Sequence, residues 1–368
     1  MKLLALEISG VRNIKNVQLD NLAQTNLFYG ENGAGKTSIL EAIYFVGMAR
    51  SFRSPRIRPF INYESDLCRV VARVLDAKEK EHRVGIERAK RGGFIIRYDG
   101  QTLQSAAELA RILPLQLLNA DTYKLLDGGP KERRQLIDWG VFHVEHAFMS
   151  LWQRAKKAIK QRNTLLRSKQ SAADLKRQLA PWNIEIVRAS TEINKLRKRY
   201  VERFTPVFEG FIGALLDLDA ELMLEFDEGW GQAYSSGTES ELLQALEDGL
   251  LRDMKSGLTH IGPHRADLSI TIDKMRASDL LSRGQQKLVV SALKLTQCRL
   301  FADELGRPSL LLADDIPSEV DASHQEKLFQ LLQAQGMQLF LTSIAKGVPL
   351  DLSSDTAMFH VKQGTVNR

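Results

Sequence analysis

Eight residues near the start, Gly30-Glu31-Asn32-Gly33-Ala34-Gly35-Lys36-Thr37, constrain this chain most: they fit the spacing G-x-x-x-x-G-K-[ST]. Such a loop needs an apolar strand before it and a helix after it. Glycines let the backbone N–H groups turn inward around phosphates, and the helix N-terminus adds its dipole. Both neighbours are present: Asn26 to Tyr29 reads as a strand, and Ser38 to Val46 as a buried helix. The pattern predicts a nucleoside triphosphate site in which residues 30–38 wrap the phosphates. Lys36 would reach the β- and γ-phosphates, and the Thr37 hydroxyl would ligate Mg²⁺.

A phosphate loop of this kind needs an acid on a neighbouring strand to hold the metal. Leu310-Leu311-Leu312-Ala313 is an apolar run ending in Asp314-Asp315. Asp314 is predicted on the magnesium side, and Asp315 where it can polarise an attacking water. Asp is one methylene shorter than the Glu usual at that second position. Upstream, Ser282 precedes Arg283, Gly284 and Gln285 and an apolar helix from Leu288. Alone this is a helix cap. Together with the phosphate loop and the acid strand it reads as the signature loop of ABC-type ATPases, which meets the γ-phosphate held by a second subunit. Ser318 to Asp321 lies where such proteins keep a D-loop. The His expected after the next strand is replaced by the Leu341-Thr342-Ser343-Ile344 run.

Strand-like runs at 3–8, 17–19, 26–29 and 68–98 return at 268–273, 309–313, 338–342 and 357–362, flanking a helical middle. In that middle, Ile193, Leu196, Tyr200, Phe204, Val207, Phe211 and Leu215 recur at steps of three and four, one apolar stripe on a long helix. That helix is predicted to pair antiparallel with 143–168 across a turn near Ala180-Pro181. Charge divides the same region. Residues 151–203 carry fifteen Lys/Arg against four acids, whereas 204–251 carry eleven acids and no Lys or Arg. Two readings stay open: two faces that attract each other, or a basic arm that follows a phosphate backbone. The 368 residues hold 43% hydrophobic and 26% charged residues, which excludes wholesale disorder. No run is long and apolar enough to span a membrane, and Cys68 and Cys298 belong to no C-x-x-C. A reducing, cytoplasmic setting is expected.

Further motifs complete a pattern: Gly10-Val11-Arg12-Asn13, Arg50-Ser51-Phe52-Arg53, the Gly-Gly-Pro-Lys-Glu-Arg-Arg-Gln run at 128–135 and Gly262-Pro263-His264-Arg265. With Arg283 inside the signature, the set resembles the RecF family of DNA replication and repair proteins nearly end to end, and more distantly the SMC-type heads. The arm is far shorter than in SMC proteins and has no Cys hook, which speaks against a tether. The resemblance implies an α/β, ABC-type P-loop ATPase head assembled from 1–125 and 255–368, with a mostly helical lobe inserted at 126–254. It also implies ATP and Mg²⁺, an ATP-driven homodimer, and binding of double-stranded DNA or single-strand gap junctions. Cooperation with RecR and RecO proteins to load RecA follows from the same resemblance. Arg12 matches an arginine that approaches the nucleotide in SMC-type heads, and Gln116 is the candidate for the Q-loop glutamine on the metal.

Three functions compete for these motifs. A metabolic kinase needs no signature loop, and a transport ATPase needs no basic helical arm. An ATP-switched DNA clamp accounts for both, as a weak DNA-stimulated ATPase whose turnover resets the dimer. Arg50, Arg53, Arg56 and Arg58, an acid-free cluster after the phosphate-loop helix, are expected on DNA phosphates.

Overall fold

The protein is described from a computed structural model covering residues 1–168, 170–218, 220–231, 234, 237–315, 320–344, 346 and 355–368. The chain opens with β1 (Lys2–Val11), β2 (Ile14–Leu19), β3 (Thr25–Tyr29) and α1 (Lys36–Met48). There follow β4 (Leu67–Leu75), β5 (Glu81–Ala89), β6 (Phe94–Tyr98), β7 (Gln101–Thr102), α2 (Ala106–Ile112) and β8 (Leu115–Leu118). The middle holds α3 (Lys124–Asp127), α4 (Pro130–Val144), α5 (Phe148–Leu166), α6 (Ala172–Leu215), β9 (Leu222–Asp227), α7 (Glu239–Asp248) and α8 (Leu250–Ser256). The chain then forms β10 (Asp267–Ile272), β11 (Met275–Arg276), α9 (Ala277–Leu280) and α10 (Arg283–Leu305). It closes with β12 (Leu310–Ala313), α11 (Ala322–Ala334), β13 (Gln338–Ser343), β14 (Thr356–Lys362) and β15 (Thr365–Asn367).

Contacts divide the chain into two compact units, residues 1–123, 211–217 and 283–368 in the first and 124–210 and 218–282 in the second. In the first unit, one sheet has the order β2-β1-β4-β5-β6-β7, antiparallel throughout. The other has the order β15-β14-β3-β13-β12-β8, in which β14, β3, β13, β12 and β8 run parallel. Strand β3 therefore sits between two strands from the far end of the chain, so both chain ends build one sheet. Helix α1 packs between the two sheets and is buried on every side from Ser38 to Gly47. Its apolar run, which shows no polar face, is what a helix with two covered sides requires.

The second unit is helical apart from the small sheet β11-β10-β9. Its long helix differs from the sequence expectation in one respect. Helix α5 ends at Leu166 and α6 begins at Ala172, so Pro181 sits inside the continuous helix Ala172–Leu215. Leu175 and Leu179, one helical turn apart, are buried in one cluster with Leu166, so the first turns of α6 pay off in packing even though a proline N–H is missing. The stripe is as expected at Ile193, Tyr200, Phe204, Phe211 and Leu215, all buried. A second correction concerns residues 255–282, expected with the head. Strand β10 forms an unbroken antiparallel ladder with β9, from Asp267↔Asp227 to Ile272↔Leu222, which holds that stretch in the second unit. Ion pairs link the basic and acidic segments at Lys176–Glu247 (2.7 Å) and Lys198–Glu228. Many of the arm's other cations, Lys156, Lys157, Lys160 and Arg188 among them, are exposed.

Candidate nucleotide-binding site

Ligands of parallel sheets collect at the carboxyl ends of the strands, and the candidate residues gather there. Strand β3 ends at Tyr29 and passes into the glycine loop. Strand β12 ends at Ala313, and the N–H of the next residue, Asp314, continues the ladder to the Leu118 carbonyl at 2.8 Å. The loop's shape depends on neighbours far away in sequence. A Cβ on Gly30 (φ 151°) would lie 2.3 Å from the Val361 carbonyl oxygen of β14. Gly35, at φ 118°, precedes α1 without a side-chain cap, so the first N–H groups of that helix point at the cavity. Asn13, in the turn between β1 and β2, accepts the Ser38 hydroxyl at 2.9 Å and donates to the Ala34 carbonyl at 3.3 Å. Packed against the Asn13 backbone, the Gly364 N–H donates to the same carbonyl at 2.8 Å.

A cavity of about 770 Å³ opens over this loop. Of the sequence-predicted residues, Arg12, Asn32, Gly33, Gly35, Lys36, Thr37, Ser38, Asp314 and Asp315 line it. Gly30, Glu31 and Ala34 shape it from behind. Lys36 Nζ donates to the carbonyls of Gly30 (2.7 Å) and Glu31 (2.9 Å), and burial lowers its pKa against the pull of Asp315 and Asp314. Thr37 donates to Asp314 at 3.0 Å, so a hydroxyl and a carboxylate converge as a hard-oxygen pair of the kind magnesium takes. Burial raises the Asp314 pKa, while hydrogen bonds from Thr342 and Thr37 oppose that rise.

Thr342 was not among the predicted site residues. Its hydroxyl donates to the same Asp314 oxygen at 2.9 Å and accepts the Asp315 N–H at 2.9 Å. One side chain thus ties both acids together from the strand where related ATPases carry a histidine. Asp315 has φ 54°, a left-handed conformation that disfavours a residue with a Cβ, and its carboxylate is exposed. The signal for Thr342 was present as the hydroxyl residue at a strand end. What the sequence lacked was the register that puts β13 beside β12.

Arg12 lines the cavity, but its guanidinium is already engaged. Its Nε and Nη2 grip the buried Glu41 carboxylate at 2.8 and 2.7 Å, and its Nη1 donates to the Pro59 carbonyl. The Arg cluster splits. Arg53 and Arg58 line the nucleotide cavity with Asn13, whereas Arg50 and Arg56 are exposed outside it. Gln116 is corrected as a metal ligand. It lies inside β8, level with Leu311 rather than Asp314, is 3% exposed, and its amide is engaged by Gln297 (3.0 Å) and Lys294 (3.1 Å). Glutamine ended up there because β8 continues past it to Leu118, which carries the strand end, and with it the site, beyond its reach.

Ser282 and Arg283 are exposed at the start of α10, followed by the partly buried Gly284 and Gln285, and none of the four lines this cavity. Asp321 caps α11: its carboxylate accepts the His324 N–H at 3.1 Å and the Ser323 hydroxyl at 2.8 Å, which holds its pKa far below the ordinary carboxylate range. Ser318, the other D-loop candidate, lies outside the described residues.

Comparison with known proteins agrees with this geometry. The family described as RecF/RecN/SMC N terminal domain matches residues 2–367. The DNA replication and repair protein RecF of Pseudomonas entomophila (strain L48) is 43% identical over 371 residues, covering 100% of this chain and 98% of that protein. RecF of Pseudomonas syringae pv. tomato is 44% identical over the same shares. Among solved structures, the recombination mediator protein RecF-ATP of the RecFOR pathway superposes with a TM-score of 0.87 at 25% identity, over 100% of this chain and 97% of that one. An SMC head bound to the C-winged helix domain of ScpA has a TM-score of 0.60 at 15% identity, over 100% and 96%, a likeness of fold. An ABC-type head with an inserted helical lobe, phosphate-loop chemistry and near full-length identity converge: the chain belongs to the RecF family of DNA replication and repair proteins.

Proposed function

We propose that this protein is an ATP-switched DNA clamp of recombinational repair. ATP would seat its phosphates on the loop from Gly30 to Ser38. Lys36 contributes a positive charge there, and the oxygens of Thr37 and Asp314 form the seat for magnesium. Magnesium would supply neutralisation of the charge on the β- and γ-phosphates. Arg53 and Arg58 add positive charge at the mouth of the same cavity. Asp315 is placed to accept a proton from water, with its backbone held by Thr342.

The observation that carries the reading is the division of this machinery. The phosphate loop and both acids share one cavity, while the exposed signature residues Ser282 and Arg283 stand outside its lining. Exposed at the start of α10, Ser282 and Arg283 would complete the cavity of a second copy, with ATP-dependent homodimerisation as the switch. The exposed arm cations and Arg50 and Arg56 suit the phosphates of double-stranded DNA or of a gap junction, a contact without base readout. The RecFOR context of the related protein supports cooperation with RecR and RecO and, through them, delivery of RecA. Hydrolysis, slow and raised by DNA, would return the clamp to monomers. Among the described residues no helix is long and apolar enough to cross a membrane; we place the protein in the cytoplasm.

Ser282→Arg tests this directly. The lost cap costs about 1 kcal/mol, too little to unfold a chain of this size. The mutant should bind ATP like the wild type, yet neither dimerise with ATP in sedimentation nor hydrolyse it faster with duplex DNA. A mutant that still dimerises would reduce the Ser282–Gln285 stretch to a helix cap.

A further inference from the structure

A second cavity, of about 450 Å³, lies wholly within the helical unit, and nothing in the nucleotide chemistry uses it. Its walls are α4, α5, α6 and the turn at Pro263-His264. Four cations face it: Lys131 and Arg134 from α4, Lys156 from α5 and Arg197 from α6. A single acid, Asp138, stands against them. That acid is already committed, since it holds Arg197 at 2.8 and 3.0 Å and accepts the Trp152 Nε1–H at 3.2 Å. Among the described residues, Lys131, Arg134 and Lys156 then have no carboxylate within ion-pair distance. Lys131 and Lys156 are exposed and keep their hydration. Arg134 is half-buried, with one hydrogen bond to the Ala266 carbonyl (2.5 Å); burial and the nearby charge of Arg197 both push its pKa down. A guanidinium in that position is stabilised by any anion that reaches it.

Apart from the exposed Gln135 and the His264 ring, the rest of the lining is apolar: Trp152, Ala155, Ile159, Ile193 and Pro263. The His264 ring adds no charge. Its Nε2 donates to the Thr259 carbonyl at 2.9 Å, its buried Nδ1 has no partner among the described residues, and burial brings its pKa down to about 4. An apolar floor beneath a cationic rim does not fit a phosphodiester backbone, which has nothing to place on the floor. Nor is the Trp152 face open for a base to stack on, because Lys156 Nζ lies 5.4 Å above the ring centroid.

We propose that this cavity is a docking site for an acidic peptide segment of a partner protein, one that seats a bulky apolar side chain on Ile159 and Ile193 with flanking carboxylates on Lys131, Arg134 and Lys156. The class of partner follows from charge complementarity and from the apolar floor together. The site is separate from the nucleotide chemistry, since none of its residues lines the nucleotide cavity; of its cations Lys156 is also one of the exposed arm cations that the clamp reading offers to DNA, and Lys131 is not.

Fluorescence anisotropy on the full chain tests it. The probes are fluorescein-labelled hexapeptides with one Phe, Leu or Trp at each position among Asp and Glu. Two control sets replace either the apolar residue by Ser or the acids by Lys. Acidic peptides with an apolar residue should bind, and both control sets should not. Lys131→Glu and Lys156→Glu should each weaken binding by at least about tenfold, the loss of one charge-assisted contact, while ATP affinity in the same preparations stays unchanged. Two results overturn the proposal: no acidic peptide binding above its Ser control, or lysine variants that bind as the wild type does. Loss of duplex DNA affinity in both variants, with DNA displacing the peptide, would reassign the cavity to nucleic acid.

Discussion

In the nucleotide cavity the acids are held by few bonds and a strained backbone. Asp314 takes its two hydroxyl donors on one oxygen, and Asp315 keeps its carboxylate exposed at a positive φ. In the helical unit, Arg162 and Asp253 are both fully buried and nearly saturated. Arg162 donates to Asp253 (2.6 Å), Thr259 (2.8 Å), Asn183 (2.9 Å) and the Leu246 carbonyl, and Asp253 also accepts from His260 at 2.7 Å. The first arrangement leaves acceptor capacity for a ligand, and the second leaves none. A buried ion pair of the second kind orders a lobe, whereas strain and spare acceptors of the first kind belong to chemistry.

The contrast can be broken by changing one side chain at a time. Asp315→Asn keeps the shape and removes the proposed base, so ATP turnover should fall by about 10²- to 10⁴-fold while ATP binding and dimerisation persist. Unchanged turnover would move the water-activating role to another residue. Arg162→Met leaves the buried Asp253 without its buried guanidinium partner and held by His260, which should cost about 3–5 kcal/mol in urea unfolding of the helical unit, with ATP affinity intact. A much smaller cost would mean that the pair contributes little order there. Lys36→Ala removes the cation proposed to meet the phosphates. ATP affinity should drop by about 1.5–3 kcal/mol in a titration calorimeter, with no change in unfolding.

The smallest effect sharpens the comparison most. Thr342→Ala deletes a hydrogen bond that favours the ionised form of Asp314, so a pKa already raised by burial rises further. Protonation then reaches Asp314 at higher pH, and the acid limb of kcat/KM should move upward in pH. The rate at neutral pH should fall by about 1 kcal/mol, and Thr342→Ser should restore both. A pH profile that does not move would make Thr342 a packing residue.

Much of the site was legible because the phosphate loop is local chemistry. Spacing alone places glycines where positive φ is needed, puts Lys36 and Thr37 on the first turn of α1, and ends an apolar run at Asp314. Gln116 shows where that legibility stops. Resemblance makes it the candidate for a glutamine on the metal, and only the pairing of β8 with β12 reveals that the strand continues past it to Leu118. Residues 255–282 went astray for a like reason, because no periodicity in β10 announces that its partner is β9. The turn near Pro181 was a local inference that tertiary packing overrode, since Leu175 and Leu179 hold the helix together from the Leu166 side.

By itself, then, the sequence determined the phosphate loop, its helix, the acid pair and the segregation of charge along the arm, all of which depend on neighbours a few residues apart. The tertiary structure alone decided that β3 lies between β13 and β14, that Asn13 and Gly364 together hold the Ala34 carbonyl of the loop, and that Thr342 joins the two acids. It also decided which arginines face the cavity and gathered the cations of α4, α5 and α6 around the second one. The physical reason is register: hydrogen-bond ladders and close packing between distant segments place side chains to within an ångström, and periodicity in one segment carries no record of its partner.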